Sequence, residues 1–264
     1  MALVCPDMFV ELAQRLVLAS GKVITAHFRK PFSVEEKQDL SPVTIADRES
    51  EAAIRRILEA ERPQDGIVGE EFGVSGEGKE FQWVIDPIDG TRAFASGKPL
   101  FGTLIALLQN GVPILGVIDQ PILNETWVGA VGQPTRLNGQ ICKTRTSCGG
   151  LSHAIANLGP QAFPFGNAVA LDAYRRLSKA VKTTSVGGDC YTYGLVASGH
   201  IDVAIEHDLN LYDFAALVPI VEGAGGRMTD WNGNPLNDRS DGHVLALGNP
   251  SLLPDMVELL EGAL

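Results

Sequence analysis

The dipeptide Asn110-Gly111 places the tightest limit on how this chain can fold, because it joins two apolar, β-rich runs, residues 101–108 and 112–119. Asn-Gly is the strongest short-range signal for a type I′ hairpin turn, since both central residues of that turn need a positive φ angle. A second hairpin turn is predicted within residues 136–140. Both hairpins require antiparallel pairing, so a purely parallel, doubly wound sheet is not expected.

Helical patterns are interleaved with these strands. Apolar residues spaced three and four apart indicate helices, and short apolar runs indicate strands. The predicted helices cover residues 7–30, 47–60, part of 167–181, 189–198, 213–224 and a last segment from 250. A kink is predicted at Pro219, inside the helix over 213–224. Further strands are predicted at 82–86, 126–130, 201–206 and 244–247, and a Gly-rich loop at 73–78. The pattern predicts an α/β fold of the α+β type with mixed sheets, and a soft boundary near residue 148 that divides the chain into 1–148 and 149–264.

Charge and composition narrow the functional classes. The 264 residues include 21 Lys+Arg and 32 Asp+Glu, a formal net charge of −11. A chain this acidic lacks the electrostatic footprint of a nucleic-acid binder, and an anionic substrate would need a bound cation. Polar residues and a proline interrupt the most apolar stretch, residues 99–118, so no membrane partner is expected. Four scattered cysteines and no visible secretory signal favour a cytoplasmic protein with reduced thiols.

The most informative stretch is WVIDPIDGT, residues 83–91. An apolar strand ends on Asp86, and Asp89 follows three residues later. Two carboxylates this close repel each other unless a cation cancels their charge, and hard divalent cations take oxygen ligands. Gly90 and Thr91 add free backbone N–H groups at the start of a short helix, where phosphate can bind. A solvated turn made of the same residue types is the alternative interpretation.

The sequence lacks the motifs of several other hydrolases. Phosphatases of the haloacid-dehalogenase type need Asp-x-Asp, but Pro87 lies two residues before Asp89. A Cys-x5-Arg loop and a Gly-x-Ser-x-Gly elbow are also absent from the sequence. The histidines show no metal-ligand spacing, and surface or core positions are expected for all five: His27, His153, His200, His207 and His243.

The segment DPIDGT, residues 86–91, resembles the signature of the inositol monophosphatase superfamily of Mg²⁺-dependent phosphatases. Two further motifs similar to those of the family occur in the same order: GEE at residues 69–71, and LYDFAA at residues 211–216, which resembles Trp-Asp-x-Ala. The glycine-rich stretch 222–226 follows. The resemblance covers nearly the whole chain and implies a layered α/β/α/β/α sandwich of the inositol monophosphatase/fructose-bisphosphatase type.

The resemblance also implies a set of metal ligands. Glu70, Asp86 and the carbonyl oxygen of Ile88 would hold one Mg²⁺ ion, and Asp86, Asp89 and Asp213 would hold a second. A third, weaker ion would contact Glu70. Simpler interpretations exist for two of these residues. Glu70, together with Glu71, would be an exposed charged pair, and Asp213 would compensate the dipole of a helix start or cap that helix.

The same resemblance implies how water and phosphate would be bound. Glu70 and Thr91 would orient the attacking water, with Asp47 hydrogen-bonded to Thr91, while Gly90 and Thr91 would bind phosphate. Two cations can activate a water and stabilise the leaving oxygen, so no phosphoenzyme is needed. Asp47 is also a good candidate for a simple cap of the second helix.

Departures from the inositol-specific pattern point to one branch of the superfamily. The segments RAF at residues 92–94 and GGDCY at 187–191, together with Tyr212 in place of Trp, resemble the histidinol-phosphate phosphatases of histidine biosynthesis. That branch implies a cytoplasmic homodimer. It also implies hydrolysis of L-histidinol phosphate to L-histidinol and phosphate.

Recognition of this substrate would need carboxylates for its amine and imidazole, and Asp189 and Glu206 are the candidates. Arg92 would contact the phosphate or the ligand, or pair with a surface acid. Three alternatives remain open: an inositol-1-phosphate or sugar-phosphate phosphatase, a nucleotidase acting on 3′-phosphoadenosine phosphate, and a non-catalytic member that binds a phosphorylated metabolite or a partner protein. Longer insertions are usual in the nucleotidases, and this chain is short.

Overall fold

A computed structural model describes residues 4–30, 34–36, 42–159 and 168–262. Within them the α-helices are α1 (Asp7–His27), α2 (Ile45–Glu61), α3 (Thr91–Ala95), α4 (Ala168–Ala180), α5 (Asp189–Ala197), α6 (Leu211–Phe214), α7 (Leu217–Gly223) and α8 (Leu253–Leu260). The strands are β1 (Val34–Glu36), β2 (Pro42–Thr44), β3 (Gly66–Gly69), β4 (Gly73–Ser75), β5 (Phe81–Asp89), β6 (Gly102–Gln109), β7 (Val112–Gln120), β8 (Glu125–Ala130), β9 (Arg136–Leu137), β10 (Gln140–Ile141), β11 (Ile155–Leu158), β12 (Thr183–Val186), β13 (Val203–Glu206), β14 (Arg227–Thr229) and β15 (Val244–Leu247).

Two mixed sheets contain most of these strands. The larger has eight strands in the order β10-β9-β8-β7-β6-β5-β3-β4, and its pairs are antiparallel except β3 with β5. The smaller has five strands in the order β12-β11-β13-β15-β14, with β11 parallel to both of its neighbours. Strands β1 and β2 form a separate antiparallel pair. The mixed pairing confirms the predicted class.

The larger sheet is covered on both faces. Leu16 of α1 and Ile54 of α2 share a buried cluster with Ile85 of β5. Val84, the neighbour of Ile85, belongs instead to a second cluster that contains Tyr193 of α5. Successive residues of a strand point to opposite faces, so an apolar run such as that in β5 fits a strand that is buried on both sides.

Helices α5 and α7 form the middle layer. Their cluster extends from the larger sheet to Ala204 and Ala246 of the smaller sheet. Leu245, the neighbour of Ala246, lies in a third cluster with Leu177 of α4 and Met256 of α8. The layers are therefore α1/α2, the eight-stranded sheet, α5/α7, the five-stranded sheet and α4/α8, which confirms the predicted α/β/α/β/α sandwich.

Both predicted hairpin turns are confirmed. Asn110 and Gly111 have φ angles of 50° and 82°, and they join β6 to β7. Asn138 and Gly139, with φ angles of 49° and 80°, join β9 to β10 in the same way. Positive φ at both central residues is the requirement for which Asn-Gly is selected.

The helix predicted over residues 213–224 is wrong as a single element, because the chain forms α6 and α7 with a break between them. Pro219 is the third residue of α7. In one continuous helix its ring would clash with the carbonyl group of Ala215, and it has no N–H to donate there. In the first turn of a new helix neither problem arises. The helical hydrogen bonding is therefore interrupted at Ala215 and Ala216, although their backbone angles stay right-handed helical.

Other differences concern boundaries and short strands. Helix α2 begins at Ile45, not at Asp47, and β4 lies within the predicted 73–78 loop. Six further strands, β1, β2, β3, β11, β12 and β14, were not predicted from the sequence. Each has at most four residues, which is too short for a clear periodic signal.

The predicted division into 1–148 and 149–264 coincides with the two sheets, since the larger sheet ends at β10 and the smaller begins at β11. The middle layer is shared, however, because Leu104 and Ile220 lie in the same buried cluster. We therefore propose that these segments are halves of one cooperative unit, for which calorimetry should record a single unfolding transition.

Two smaller observations bear on the functional class. The cysteines are free thiols, as expected: Cys5, Cys142, Cys148 and Cys190. Among the residues that the structure describes, no helix is both long enough and apolar enough to cross a membrane.

Candidate functional site

The site begins where β5 leaves regular pairing. The register with β6 shifts between Asp86 and Asp89, at Pro87 and Ile88. Side chains satisfy the backbone groups of this irregular segment: Ile88 N–H donates to Asp86 Oδ1 at 3.0 Å, and Thr103 Oγ1 donates to the Pro87 carbonyl at 2.8 Å. Asp86 is only 2% exposed. The solvated-turn interpretation therefore does not hold.

Gly90 turns the chain from β5 into α3. Its φ angle is 91°, and a Cβ atom there would lie 2.9 Å from Asp189 Oδ2 and 3.0 Å from the carbonyl oxygen of Leu100. Only glycine fits this position without strain. Helix α3 then begins at Thr91, as predicted, and Thr91 Oγ1 can donate to the Ile88 carbonyl at 3.1 Å or to Asp47 Oδ1 at 3.4 Å.

Asp47 has both of the functions that the sequence suggested. It accepts hydrogen bonds from the N–H and the hydroxyl group of Thr44, at 2.8 Å and 2.6 Å, in a capping box at the start of α2. Its other oxygen faces Thr91. Burial raises the pKa of Asp47 to about 6, and the nearby carboxyl group of Glu70 contributes in the same direction.

Asp213 reaches the site from the other half of the chain. Its Oδ2 atom accepts from Asn210 N–H at 2.6 Å in a capping box at the start of α6, so the capping interpretation is also correct. Carboxylate oxygens of Asp86, Asp89 and Asp213 nevertheless all lie within 4.8 Å of one another. The structure therefore brings these three predicted ligands together, although Asp213 is more than 120 residues from Asp89.

The electrostatics of this three-aspartate cluster are those of crowded like charges. Burial, followed by Glu70, Asp89 and Asp213, raises the pKa of Asp86 well above its usual range. Burial and neighbouring carboxylates do the same for Asp89, and they raise the pKa of Asp213 to about 7. Three half-buried or buried carboxylates can ionise together only if a cation offsets their repulsion.

Glu70 lies beside this cluster. It follows the last residue of β3, and its N–H donates to the Ile85 carbonyl at 3.2 Å, next to Asp86 on β5. Its carboxyl group is close enough to contribute to the raised pKa values of Asp86, Asp213 and Asp47. Glu70 is thus part of the acidic centre and not an isolated surface charge.

Asp189 and Glu206 add two acids on the side of the smaller sheet. Gly187, Gly188 and Asp189 have successive positive φ angles, and this turn brings Asp189 against Gly90. Burial raises the pKa of Asp189 to about 6, an effect that Arg92 opposes. Burial and the charges of Asp189 and Asp213 raise the pKa of Glu206, at the end of β13, to about 8.

The donor set suits a hard divalent cation. It consists of carboxylate oxygens and backbone carbonyl oxygens, the ligands that Mg²⁺ prefers, whereas soft ions would favour thiolate or imidazole. Backbone N–H groups at the start of α3 lie beside these acids and can donate to an anion. The arrangement can therefore bind a cation and a phosphate group together.

The sequence pattern of the inositol monophosphatase family matches residues 6–261. The chain belongs to this family. This member of the family is a phosphomonoesterase. Enzymes of the family use Mg²⁺, and the acidic cluster suits that ion.

The similar proteins include a bifunctional phosphatase, a histidinol-phosphatase and an inositol monophosphatase. The bifunctional phosphatase IMPL2, a chloroplastic protein of Arabidopsis thaliana, is 50% identical over 230 residues, which cover 86% of this chain and 65% of that protein. A histidinol-phosphatase of Chlorobaculum parvum is 37% identical over 235 residues, 86% of this chain and 87% of its own. Among solved structures, an inositol monophosphatase from Zymomonas mobilis is 45% identical, with a TM-score of 0.87 over 97% of this chain and 98% of that one.

The sequence patterns did not identify three supporting contacts. Thr103 holds the Pro87 carbonyl, the N–H of Cys190 donates to Asp89 Oδ2, and the buried Glu51 contacts the turn after Glu70. Of the three, only Glu51 could have been noticed in the sequence, because a Glu–Arg pair at i and i+4 on the buried face of α2 is unusual. The other two depend on contacts between distant strands and helices.

Proposed function

We propose that the chain hydrolyses L-histidinol phosphate to L-histidinol and phosphate in a Mg²⁺-dependent reaction. The observation that carries this proposal is the pair Asp189 and Glu206 next to the three-aspartate cluster. The cluster can hold the cations that a phosphate needs, and the additional acids lie where the cationic end of the substrate would bind. Relatives named histidinol-phosphatase support the same choice.

The proposed ligands are those that the family resemblance implied. Glu70, Asp86 and the Ile88 carbonyl would hold one Mg²⁺ ion, Asp86, Asp89 and Asp213 a second, and Glu70 a third, weaker one. When bound, two such ions lower the pKa of an attacking water and stabilise the leaving oxygen of an in-line displacement. Asp86, the most buried of these acids, would bridge the two sites.

The remaining groups would orient water and phosphate. The Thr91 hydroxyl has one hydrogen and two acceptors within reach, Asp47 and the Ile88 carbonyl. We assign that hydrogen to Asp47, so that the oxygen of Thr91 and the carboxylate of Glu70 can accept hydrogen bonds from the attacking water. The N–H groups of Gly90 and Thr91 would hold the phosphate while a P–O bond to water forms and the ester P–O bond breaks.

Asp189 and Glu206 would recognise the amine and the imidazole of the substrate. Burial raises the pKa of Asp189 to about 6, and burial together with the charges of Asp189 and Asp213 raises the pKa of Glu206 to about 8. A cationic ligand would favour the ionised form of both carboxyl groups. Arg92 is exposed and lies close enough to lower the pKa of Asp189, so we propose it as a further ligand contact. The chain's net charge of −11 would favour approach of a cationic group.

A second candidate is hydrolysis of inositol-1-phosphate. It is favoured by the 45% identity to the Zymomonas mobilis inositol monophosphatase, and the Arabidopsis relative is itself named bifunctional. The two candidates differ at the ligand's far end, since inositol carries hydroxyl groups where histidinol carries cations.

Phosphate release from the two esters, each with MgCl₂ and with excess chelator, tests both candidates. We expect a higher kcat/KM for L-histidinol phosphate and no release from either ester after chelation. Equal or faster turnover of inositol-1-phosphate would select the second candidate. Magnesium binding without any phosphate release would contradict the proposed hydrolysis and support a non-catalytic binding protein.

Asp189→Asn tests the proposed recognition. We expect kcat/KM for L-histidinol phosphate to fall about tenfold or more, and that for a neutral ester to fall less, because only the cationic ligand loses a charge partner. Asp172→Asn is the matched control, since it removes one charge from an exposed residue of α4. Equal losses for both esters would refute the role of Asp189.

A homodimer and a cytoplasmic location remain predictions. Size-exclusion chromatography with light scattering should give about twice the chain mass of 28.2 kDa if the first is correct. A mass near 28.2 kDa would contradict it.

A further inference from the structure

A buried ion pair on α2 contacts the turn that carries Glu70. Glu51 is fully buried, and Arg55, one helical turn later, donates from Nε to Glu51 Oε1 at 2.7 Å. Both residues lie on the same face of α2 as Ile54 and Leu58, which belong to the core. A charged pair at such positions contributes little to stability compared with apolar residues of the same size. The hydrogen-bond partners of the Glu51–Arg55 pair therefore indicate what the pair does.

Both oxygens of Glu51 are directed to backbone N–H groups next to Glu70. Oε2 accepts from Glu71 N–H at 2.7 Å, and Oε1 accepts from Phe72 N–H at 3.3 Å. On the other side of Glu70, the carboxylate approaches Gly69 so closely that a Cβ atom there would lie 1.8 Å from Glu51 Oε1. The residues that flank Glu70 in the sequence are thus both fixed against one carboxylate.

Arg55 extends the same contact to the β3–β4 hairpin. Its guanidinium group donates to the Gly73 carbonyl, and a second nitrogen lies 3.4 Å from Ser75 Oγ. On the opposite side, the N–H of Glu70 donates to the Ile85 carbonyl of β5. The Glu70 backbone is therefore held between α2 and β5, the strand that carries Asp86, which sets the separation between the two carboxyl groups.

We propose that Glu51 is a positioning residue for Glu70, and that it sets the Mg²⁺ affinity of the acidic centre through the turn 69–72. This inference rests on the proposed function, because it takes Glu70 to be a metal ligand. Groups that orient a ligand from outside the coordination sphere commonly change metal affinity or activity by about 10- to 100-fold when they are replaced. Glu51 would act through its two backbone contacts, without touching the ion.

Calorimetric titration of the full chain with MgCl₂, without substrate, measures the effect directly. Glu51→Gln keeps the size of the side chain but removes the charge and presents an amide N–H to donors. We expect its Mg²⁺ dissociation constant to rise about tenfold. At saturating MgCl₂ we expect kcat to fall while KM for the phosphate ester changes by less than about twofold, because substrate contacts are untouched.

Asp65→Asn is the matched control. Asp65 is also a buried acid that pairs with an arginine, Arg62 at 2.7 Å, but its contacts lie at the end of α2 and on Trp83. It should lower the thermal unfolding temperature without changing the Mg²⁺ dissociation constant. If Asp65→Asn weakens Mg²⁺ binding as much as Glu51→Gln, general destabilisation explains the result and the inference is wrong.

A double-mutant cycle with Glu70→Gln separates the inference from the proposed function. If Glu51 acts through Glu70, Glu51→Gln should have little further effect on Mg²⁺ affinity in the Glu70→Gln background. Additive effects would overturn the positioning role alone. An unchanged Mg²⁺ affinity in Glu70→Gln would show that Glu70 is not a ligand, and the inference would fall with that assignment.

Arg55→Lys covers the case in which Glu51→Gln does not fold. Lysine keeps the charge beside Glu51 but cannot make the same set of contacts to Gly73 and Ser75. We expect Mg²⁺ binding to weaken in the same direction by a smaller factor, about threefold. An unchanged dissociation constant in this folded variant would contradict the inference.

Discussion

Buried acids occur in two different settings in this molecule. In the first setting, Glu51, Asp65 and Asp202 each receive an arginine nitrogen at 2.7 Å. In the second, Asp86, Asp89 and Asp213 face one another. In the part of the chain that the structure describes, no arginine or lysine forms an ion pair with any of these three.

The difference lies in where the balancing charge comes from. An arginine-paired acid is neutralised within the fold, so it orders the groups around it and needs no external cation. The three-aspartate cluster brings together carboxyl groups that no arginine or lysine among the described residues pairs with, and burial, followed by repulsion from neighbouring carboxylates, raises their pKa values. Such a cluster is stable in ionised form only with an external cation, which is why we propose it as the cation-binding centre.

The largest effect on folding should come from removing a paired acid. Asp202 accepts from Arg145 Nε and from Ile155 N–H, both at 2.7 Å. Asp202→Ala leaves both donors without this acceptor and should lower the free energy of unfolding by about 3 kcal/mol. Denaturant titration measures the loss, and activity per folded molecule should be unchanged. If Asp202→Ala lost activity but kept its stability, Asp202 would act in function and not in folding.

The opposite result is expected for the cluster. Asp213→Asn keeps an oxygen that can accept from Asn210 N–H, so the cap of α6 survives. Removing a proposed ligand should reduce kcat/KM at least about 100-fold, more than replacing a group that only orients one. Without Mg²⁺ the melting temperature should stay the same or rise, since a like charge has gone. A clear fall in melting temperature would show that Asp213 is structural.

The pH dependence of stability should sharpen the contrast. Asp47, Asp213 and Glu206 have folded-state pKa values of about 6, 7 and 8, above their unfolded values near 4. The folded chain then binds more protons than the unfolded chain in this range, so the free energy of unfolding falls as the pH rises from about 4 to about 8. In excess chelator we expect a loss of several kcal/mol between pH 5.5 and 8, about 6 kcal/mol if the three groups titrate independently.

Thermal unfolding at several pH values, with chelator and with MgCl₂, measures this dependence. The ion should flatten the profile, because it stabilises the ionised carboxylates and binds only the folded state. A profile that rises with pH in chelator would mean that the cluster is already balanced by groups of the protein.

The smallest effect is expected at the surface. Asp172 and Arg176 pair on α4 with side chains that are 51% and 42% exposed. Asp172→Asn should change the free energy of unfolding by less than about 0.5 kcal/mol, because solvent screens an exposed pair. A loss near 3 kcal/mol, as large as the loss expected for the buried Asp202, would show that the exposure of an ion pair does not decide its contribution to stability.

Local patterns predicted most of the regular structure. The Asn-Gly turns, the amphipathic helices and the strand ending at Asp86 follow from periodicity and turn chemistry over a few residues. The failures were of two kinds. Strands such as β12 and β14 are too short to show a period, and the break before α7 depends on how Pro219 meets the previous turn of helix.

The candidate site was predictable to a similar degree. Asp86, Asp89, Gly90 and Thr91 lie within six residues, so their local chemistry could be inferred directly. The association of Asp213 with them came from a family resemblance and not from spacing. The supporting contact from Glu51 was missed, because its partners are backbone groups whose position depends on the β3–β4 hairpin.

The sequence by itself determined which segments form helices, strands and turns, and which of them carry acids, because those properties depend on neighbours a few residues apart. Only the tertiary structure decided which acids share a site and which are balanced by arginine. Electrostatic energy depends on distance in space, and the stacking of two sheets around a shared helical layer brings Asp213 to Asp86.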